Sequence, residues 1–574
     1  MSITRRRLLE HLLPASLCIA ALLALGLTPF FVCWISGYGF TCPTQPDVTY
    51  YLQLAAQPYY SHALYLSDPM IPGRATFYPW LQYIPLVCLT RWLGLSIFWI
   101  QIIWTIAGAV GTGVTLYLFL WLVCRNRWLA AAITICVWAD IDLGTEMLAH
   151  RFLFLHQIYL VASDFIARIG GHPFLPRPRM LWQWRLSNPT MDLPFIFLQL
   201  VVTSIARERA STLAITLSGL VFALTFYVYF YLWTMIAGGL CLGMLVDRPG
   251  RRTYAWTLAL GFALGWPEII HDYHALSAEG LKYFELTASP IRSPGLSNNS
   301  SYFHPYLVIG ELAILGGWVT RRKLGALVLV WCIGCAGVCL SMANLVSGIS
   351  LHNYHWAWLS VPVMHVMTVA VALDLIVRWK STPRMPRPVP ALLVCAYLAS
   401  GIYLTASILL LGSSGQTYSM TVYSEYNRQR LVPGSAHLQP DSVIAGDEDF
   451  VDLAAVAERQ RPLAGGWLAN NMIVDDEARR IRFVLDKYLS GINHDSFAIL
   501  LNDTRSIPRE QIRAYLQTYD EVSHDSDRFI DDFKVRYLAL PVDQPTARFL
   551  SRRWDLIQPG PYWRIWERTE NSPR

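Results

Sequence analysis

The sequence contains repeated apolar runs of about 20 residues, the length that a helix needs to cross the hydrocarbon core of a bilayer. Charged residues make up only 15% of the 574 residues, whereas a soluble domain has roughly 25%. The mean hydropathy of +0.34 agrees with this pattern. We therefore predict a polytopic α-helical membrane protein. The formal charge of +6 comes mainly from short loops, so it indicates membrane orientation and not a nucleic-acid-binding surface.

The basic clusters between the apolar runs predict the orientation, because loops rich in Lys and Arg stay on the cytoplasmic side. Fitting helices between these clusters gives about eleven spans, with the N-terminus in the cytoplasm and the C-terminal part outside. The tyrosine-rich segment Tyr227–Tyr231 is expected to form an interfacial turn between two spans. The predicted spans lie near residues 12–35, 97–123, 129–147, 193–206, 212–227, 231–246, 253–270, 306–320, 324–347, 356–377 and 391–412.

The composition changes after Gly412, which predicts a membrane domain over residues 1–412 and a separate extracytoplasmic domain over 413–574. In the second part, short β-branched and aromatic runs alternate with helical patterns, which is typical of an α/β domain. The acids Asp447, Glu448 and Asp449 are interpreted as a solvated loop and helix start. The predicted strands are 442–445, 535–540 and 562–566, and the predicted helices are 448–460 and 475–489.

The first two long external loops, 37–96 and 148–192, contain most of the residues that suit chemistry at the membrane surface. The first loop places the acidic Asp47 directly after the first span, where water and a lipid-linked substrate meet. The second loop combines arginines, histidines and tryptophans, a composition that suits an anionic lipid headgroup.

Three patches in this order resemble a known family. They are Asp47-Val48-Thr49-Tyr50-Tyr51-Leu52, then Asp68-Pro69, then the aromatic span from Phe226 to Trp233. Together with the long first loop and the C-terminal α/β domain, they make the chain similar to GT-C-type glycosyltransferases, particularly bacterial members with a D-x-x-Y-Y-L opening. The resemblance implies an inner (plasma) membrane enzyme that moves a sugar from a polyprenyl-phosphate donor to an extracytoplasmic acceptor, with inversion. The acceptor would be a glycan, a lipid or a protein.

Asp47 is the residue that the resemblance assigns as the general base, since an inverting transfer needs a carboxylate to take the acceptor proton. The alternative is that Asp47 only caps a helix over Val48–Ala55. Tyr50 and Tyr51 follow it and are expected to contact substrate. Asp68 is a weaker candidate, because an acid before proline also forms turns.

Arginines are expected to hold the donor phosphate, because a guanidinium group matches phosphate oxygens well. Arg185 is the first choice, with Arg151 and Arg74 behind it, although many loop arginines pair only with lipid headgroups. His352 and His355 lie just before the tenth predicted span and suit either contact with phosphate or metal or interfacial packing. Glu268, at the end of the seventh predicted span, is expected to line the same external cavity that holds the donor phosphate.

The acids Asp140, Asp142 and Glu146 lie at the predicted outer end of the third span. Some family members have a D-x-D motif near this place, which implies a divalent cation, Mg²⁺ or Mn²⁺, held by oxygen ligands. The alternative is that these acids are solvated or pair with Arg151.

Other functions remain open for such a chain. A lipid-linked glycan flippase or a secondary transporter would carry ionisable residues in the middle of its spans, whereas here the acids gather at external helix ends. An O-antigen-type polymerase usually has no C-terminal α/β domain. A degenerate family member would bind lipid without turnover.

Overall fold

The computed structural model describes residues 3–43, 46–64, 66, 69–70, 80–139, 161–167, 169–170, 191–275, 315–316, 325–341, 343, 355–356, 359–360, 363–364, 366–368, 370–371, 388–411, 415–430, 434–464, 477–503, 509–544 and 553–569. Within them the chain is mostly helical, with one sheet in its C-terminal part.

The apolar runs form a helical bundle, followed by alternating helices and strands. Because most side chains of these runs are apolar, the helices can pack on several faces at once. The helices before the sheet are α1 (Ile3–Ile35), α2 (Pro46–Ser61), α3 (Ile84–Trp92), α4 (Trp99–Cys124), α5 (Arg127–Ala139), α6 (Asp192–Arg209), α7 (Thr212–Phe226), α8 (Phe230–Val246), α9 (Arg251–Ala275), α10 (Gly325–Ser341), α11 (Pro388–Leu411) and α12 (Gly415–Arg430).

Two of the described helices are long and apolar enough to cross a membrane, namely Glu10–Ile35 within α1 and Trp99–Cys124. Helices α8 and α9 would add a third span if they are counted together; they meet at an angle of 117° across a short break. Other described helices, such as Thr212–Phe226, are apolar but shorter. The protein is therefore a membrane protein by the character of its helices, while the number of about eleven spans stays a prediction.

The described helices agree closely with the predicted spans where both can be compared. Helix α4 begins two residues after the predicted start at 97, and α7 ends at Phe226, one residue before the predicted end. The tyrosine segment forms the expected turn, since α7 ends before Tyr227 and α8 begins at Phe230. Most residues of the predicted spans 306–320 and 356–377 lie outside the described residues.

Small residues allow the bundle helices to approach closely. A Cβ at Gly261 of α9 would lie 2.0 Å from Phe222 of α7, and one at Gly239 of α8 would lie 2.5 Å from Ile333 of α10. In a bilayer the lipid tails are as apolar as the side chains, so no hydrophobic force drives helices together. Close van der Waals packing holds them together instead. The bundle core around these contacts also includes the buried rings of Phe119 and Trp138.

One end of the bundle is held together by a buried ion pair. Arg207, at the end of α6, donates from Nη2 to Oδ1 of Asp247 over 2.8 Å, and Tyr254 of α9 donates to Oδ2 over 2.7 Å. These groups connect α6 to the turn between α8 and α9. The predicted orientation makes this the cytoplasmic end, so α1 finishes and α4 begins at the outer end.

The C-terminal part contains a five-stranded sheet with the order β2-β1-β3-β5-β4. Strand β1 runs parallel to both β2 and β3, and β5 is antiparallel to β3 and β4. The elements are β1 (Val443–Gly446), α13 (Glu448–Ala457), β2 (Arg461–Pro462), α14 (Glu477–Leu489), α15 (His494–Asp503), α16 (Arg509–His524), α17 (Ser526–Asp532), β3 (Val535–Pro541), β4 (Trp554–Pro559) and β5 (Trp563–Arg568).

The sheet has a core on each face, because successive side chains of a strand point to opposite sides. On strand β3, Tyr537 and Ala539 face a core shared with α12 and α13, whereas Leu538 and Leu540 face a core shared with α14 to α17. The α/β character predicted for this part of the chain is therefore present.

The first of these cores also includes helix α2 and so joins the bundle to the C-terminal part. Val48 and Tyr51 of α2 pack in the same cluster as Phe450 of α13 and Trp563 of β5. The hydroxyl of Tyr60 donates to the carbonyl of Val456 at 2.8 Å. Helix α2 therefore lies between the sheet and the end of the bundle where α1 finishes and α4 begins.

Candidate active site at the outer end of the bundle

The structure describes only part of the predicted site. Helix α2 begins at Pro46, so Asp47 lies within its first turn and not before it; the side chain of Asp47 lies outside the described part. This start differs from the predicted helix Val48–Ala55, although an acid in a first turn still favours helix formation. Tyr50, Tyr51, Glu268 and His355 are described. The other predicted residues, Asp68, Arg74, Asp140, Asp142, Glu146, Arg151, Arg185 and His352, lie outside the described residues.

The paired tyrosines of α2 lie beside a buried polar group at the end of the bundle. Burial raises the pKa of Tyr83 well above its usual value, and the neighbouring Tyr51, Tyr50 and Asp192 act in the same direction. Asp192 is fully buried in the first turn of α6. Tyr50 and Tyr51 of α2 and Asp192 of α6 therefore lie near the same buried phenol.

Arg479 of α14 approaches α2 from the C-terminal part. Its side chain is 9% exposed, and this burial lowers its pKa, while the nearby Tyr50 opposes the shift. A buried guanidinium retains its charge in a protein. Arg479 thus brings a cation from the C-terminal part close to Tyr50 of α2.

Gln82 connects this part of the site to the tyrosine turn of the bundle. Its Nε2 donates to Oδ1 of Asp192 at 3.1 Å and to the carbonyl of Val228 at 2.7 Å. Its own carbonyl accepts from Nε1 of Trp104 at 2.5 Å. The first external loop is therefore fixed against α4, α6 and the turn between α7 and α8.

His355 packs against the tyrosine turn. Nδ1 of His355 and the hydroxyl of Tyr229 form a hydrogen bond of 2.7 Å, and the ring stacks on Tyr231 at 4.7 Å between centroids. The neighbouring Trp356 donates to Thr234 at 2.8 Å. These contacts orient the imidazole through aromatic groups of α8, which supports the packing interpretation of this histidine.

Glu268 lies on the other side of the same turn. Tyr227 donates to the carbonyl of Leu264, one turn before Glu268 on α9, at 2.7 Å. Glu268 is 3% exposed and Asp272, one turn further on, is 8% exposed. Among the described residues, Oε1 of Glu268 and Oδ1 of Asp272 have no hydrogen-bond partner.

A charged cluster lies at the carboxyl end of β1, which is the end beside α13. Asp447 caps α13 by accepting from the Phe450 N–H at 3.0 Å, and it also accepts from Nε1 of Trp563 at 2.9 Å. Asp486 is buried and accepts from the Gly446 N–H at 2.9 Å. Lys487 lies 3.6 Å from Asp486 and 4.0 Å from Glu448.

The pKa shifts in this cluster follow from burial and from charge pairing. Burial raises the pKa of Asp447 and of Asp486. Burial opposes the charged form of Lys487, but the carboxylates of Asp486, Glu448 and Asp447 outweigh it and raise the pKa of this lysine. The interpretation of Asp447 as a solvated residue was therefore wrong in one respect: it starts the helix, but it is half-buried under Trp563.

A metal site was predicted from three acids of the third span. Within the described ranges, no group of three or more His, Cys, Asp or Glu side chains has the arrangement of a metal site. Asp140, Asp142 and Glu146 lie outside those ranges, so the Mg²⁺ or Mn²⁺ site stays a prediction.

Sequence reasoning did not find three residues of this region, namely Gln82, Asp192 and Arg479. Asp192 had a usable signal, because an acid directly before the predicted span 193–206 is a common helix start. Gln82 and Arg479 had none, since each acquires its role only when distant segments meet.

Comparison with known proteins gives a weak structural similarity. No protein-family model matches the chain, and no curated protein matches it. A solved structure of the archaeal oligosaccharyltransferase AglB from Archaeoglobus fulgidus, in complex with an inhibitory peptide and a dolichol-phosphate, matches with 12% identity and a TM-score of 0.40, over 93% of this chain and 70% of that one. The apo form of the Archaeoglobus fulgidus oligosaccharyltransferase matches with 11% identity and a TM-score of 0.38, over 92% and 70%. At such low values the similarity assigns neither the activity nor the substrates of this chain.

Proposed function

We propose that this chain is a GT-C-like membrane glycosyltransferase that moves a sugar from a polyprenyl-phosphate donor to an acceptor on the extracytoplasmic face, with Asp47 as the general base. The observation that carries the proposal is the position of α2, which begins one residue before Asp47 and is held between the bundle and the sheet. This position suits a carboxylate that must meet both a lipid-borne donor and a water-borne acceptor.

The described surroundings of α2 support such chemistry through their charge. Arg479 is buried beside Tyr50, one helical turn after Asp47. A cation in a desolvated place favours the ionised form of a nearby carboxylate, which is the form that accepts a proton. We assign Tyr50 and Tyr51 to the walls of the site because both follow Asp47 on α2 and Tyr50 lies near Arg479.

The remaining parts of the proposal come from the sequence resemblance. The donor phosphate would be held by Arg74, Arg151 and Arg185 of the first two external loops. Residues 413–574 would form the acceptor side, outside a bacterial inner membrane.

The rival function is transport, and one observation favours it. Glu268 and Asp272 are buried in α9, and a carboxyl oxygen of each has no hydrogen-bond partner among the described residues. Buried ionisable residues in a membrane helix commonly mark an ion or substrate pathway. We prefer the glycosyltransferase proposal because the α2 region combines the acid Asp47 and the tyrosine Tyr50 with the nearby cation Arg479, which suit a transfer reaction.

The proposal is tested by Asp47→Asn, which keeps the side-chain shape and removes the base. The purified chain in lipid nanodiscs would be assayed with a panel of radiolabelled polyprenyl-phosphate hexoses and pentoses. We expect the turnover rate to fall by about 10²–10⁴-fold, with binding of polyprenyl phosphate retained.

The matched control is Asp555→Asn, which makes the same chemical change at an exposed position of β4. It should leave turnover unchanged. Full turnover in Asp47→Asn would refute the base role, and loss of substrate flux in Glu268→Gln with normal flux in Asp47→Asn would favour a transporter.

A further inference from the structure

A second cavity lies at the amino end of β1, and no residue of α2 lines it. It has a volume of about 700 Å³ and is lined by the amino ends of β1 and β3, by the turn between α17 and β3, and by the ends of β4 and β5. Met70 of the first external loop also contributes to its wall. A cavity of this size accepts a small organic molecule such as a disaccharide, and not only a single ion.

The lining of this cavity is strongly basic. Its acidic members are Asp441, Asp531 and Asp532, and its basic members are Arg461, Arg482, Lys534, Arg536, Arg553 and Arg568. Arginine at such density matches carboxylate or phosphate oxygens, to which it donates two parallel hydrogen bonds.

Ion pairs within the protein use only part of this positive charge. Arg568 pairs with Asp531 at 2.6 Å, Arg553 pairs with Asp527 at 3.2 Å, and Arg536 pairs with Glu567 at 2.8 Å. Asp441 is shared, since Arg459 lies 2.9 Å and Arg461 lies 3.7 Å from its carboxylate. If these residues only fastened the strands to one another, the network would be neutral and would need as many acids as bases.

Lys534 contributes charge that the network does not neutralise. It occupies the turn between α17 and β3 with a left-handed φ of 52° and an exposed side chain. The acids at the cavity pair with arginines, and no described acid forms an ion pair with Lys534. Next to it, Phe533 also lines the cavity, and the guanidinium carbon of Arg482 lies 4.7 Å over one face of its ring.

We infer that this cavity binds an acidic saccharide, through its phosphate or carboxylate group on Lys534 and the surrounding arginines and through its ring on the Phe533 side. This site is separate from α2 and does not depend on the proposed transfer reaction. Its ligand would touch both the sheet and the first external loop, through Met70.

Isothermal titration calorimetry on the full chain in detergent tests the inference without any assay of turnover. The probes are maltose 1-phosphate and a glucuronate-containing disaccharide, with maltose and inorganic phosphate as controls. We expect at least one acidic disaccharide to bind about tenfold more tightly than both controls, and to bind more weakly as salt is added.

Two variants change the charge of the cavity in opposite directions. Lys534→Gln should weaken binding about tenfold, and Asp532→Asn should strengthen it. Arg513→Gln is the matched control, because Arg513 is exposed on α16 and does not line the cavity. Circular dichroism would confirm that each variant is folded.

The inference is overturned if maltose or inorganic phosphate binds as tightly as both acidic disaccharides. It is also overturned if folded Lys534→Gln and Asp532→Asn both match Arg513→Gln. Because binding is measured here and turnover in Asp47→Asn, each proposal can fail without the other.

Discussion

The two ends of strand β1 carry charged residues in contrasting arrangements. At the carboxyl end, Asp486 and Lys487 are largely buried and Asp447 is half-buried, and a backbone N–H, an indole or an opposite charge satisfies them. At the amino end, the cavity is open and keeps an excess of positive charge. The same residue types therefore hold structure at one end and leave charge for a ligand at the other, and burial decides between the two outcomes.

The largest effect is expected from filling the space at Gly446, where β1 turns into α13. Its φ is +119°, and a Cβ there would lie 2.0 Å from the carbonyl oxygen of Ala539. Gly446→Ala should lower the free energy of unfolding by about 3–5 kcal/mol, since both backbone strain and a clash with β3 result. Thermal unfolding in detergent would measure this.

Gly434→Ala is the control for that prediction. Gly434 also has a positive φ, of +90°, but a Cβ there meets nothing within 4 Å. Its cost should be limited to about 1–2 kcal/mol of left-handed strain. Equal losses in the two variants would show that the carboxyl end is not tightly closed.

The next effect is expected from Lys487→Met, which removes the cation between three carboxylates. Leaving buried carboxylates without this partner should cost about 2–4 kcal/mol at neutral pH. Lys534→Met at the open amino end should change stability by less than about 0.5 kcal/mol. Denaturant midpoints of the two variants would compare the ends directly.

The loss in Lys487→Met should depend on pH with a defined sign. Burial raises the folded-state pKa of Asp486 and Asp447 above the usual value of 3.8, so the folded state binds these protons more tightly than the unfolded state. Stability therefore falls as pH rises through the folded-state pKa values. Since losing Lys487 raises these values further, the destabilisation should shrink at mildly acidic pH. A loss that is the same at both pH values would contradict the assignment.

The sequence predicted the parts of this comparison that are local. Strands β1, β3 and β5 were found because their β-branched and aromatic residues are distinctive. Strand β4 was missed, since half of its residues are polar or proline, and β2 has only two residues. Helices α15 to α17 were not predicted, although apolar residues recur at helical spacing along α16.

The candidate site was predictable to the same extent. The tyrosine pair and the acid of α2 are visible as a motif, whereas the burial of Asp447 depends on Trp563, which lies 116 residues later. Arg479 reaches Tyr50 only through the docking of α14 near α2. Local signals thus locate the helices that bear the site, but not the distant residues that complete it.

The smallest effect is expected at the amino end, from the ion pair between Arg553 and Asp527. The two side chains lie 3.2 Å apart and are 30% and 51% exposed. A double-mutant cycle of Arg553→Gln and Asp527→Asn should give a coupling free energy below about 1 kcal/mol, because solvent screens exposed pairs. The coupling should disappear in high salt. A coupling that is larger and resists salt would mean that the amino end is as closed as the carboxyl end, and the cavity would then have no free charge to offer a ligand.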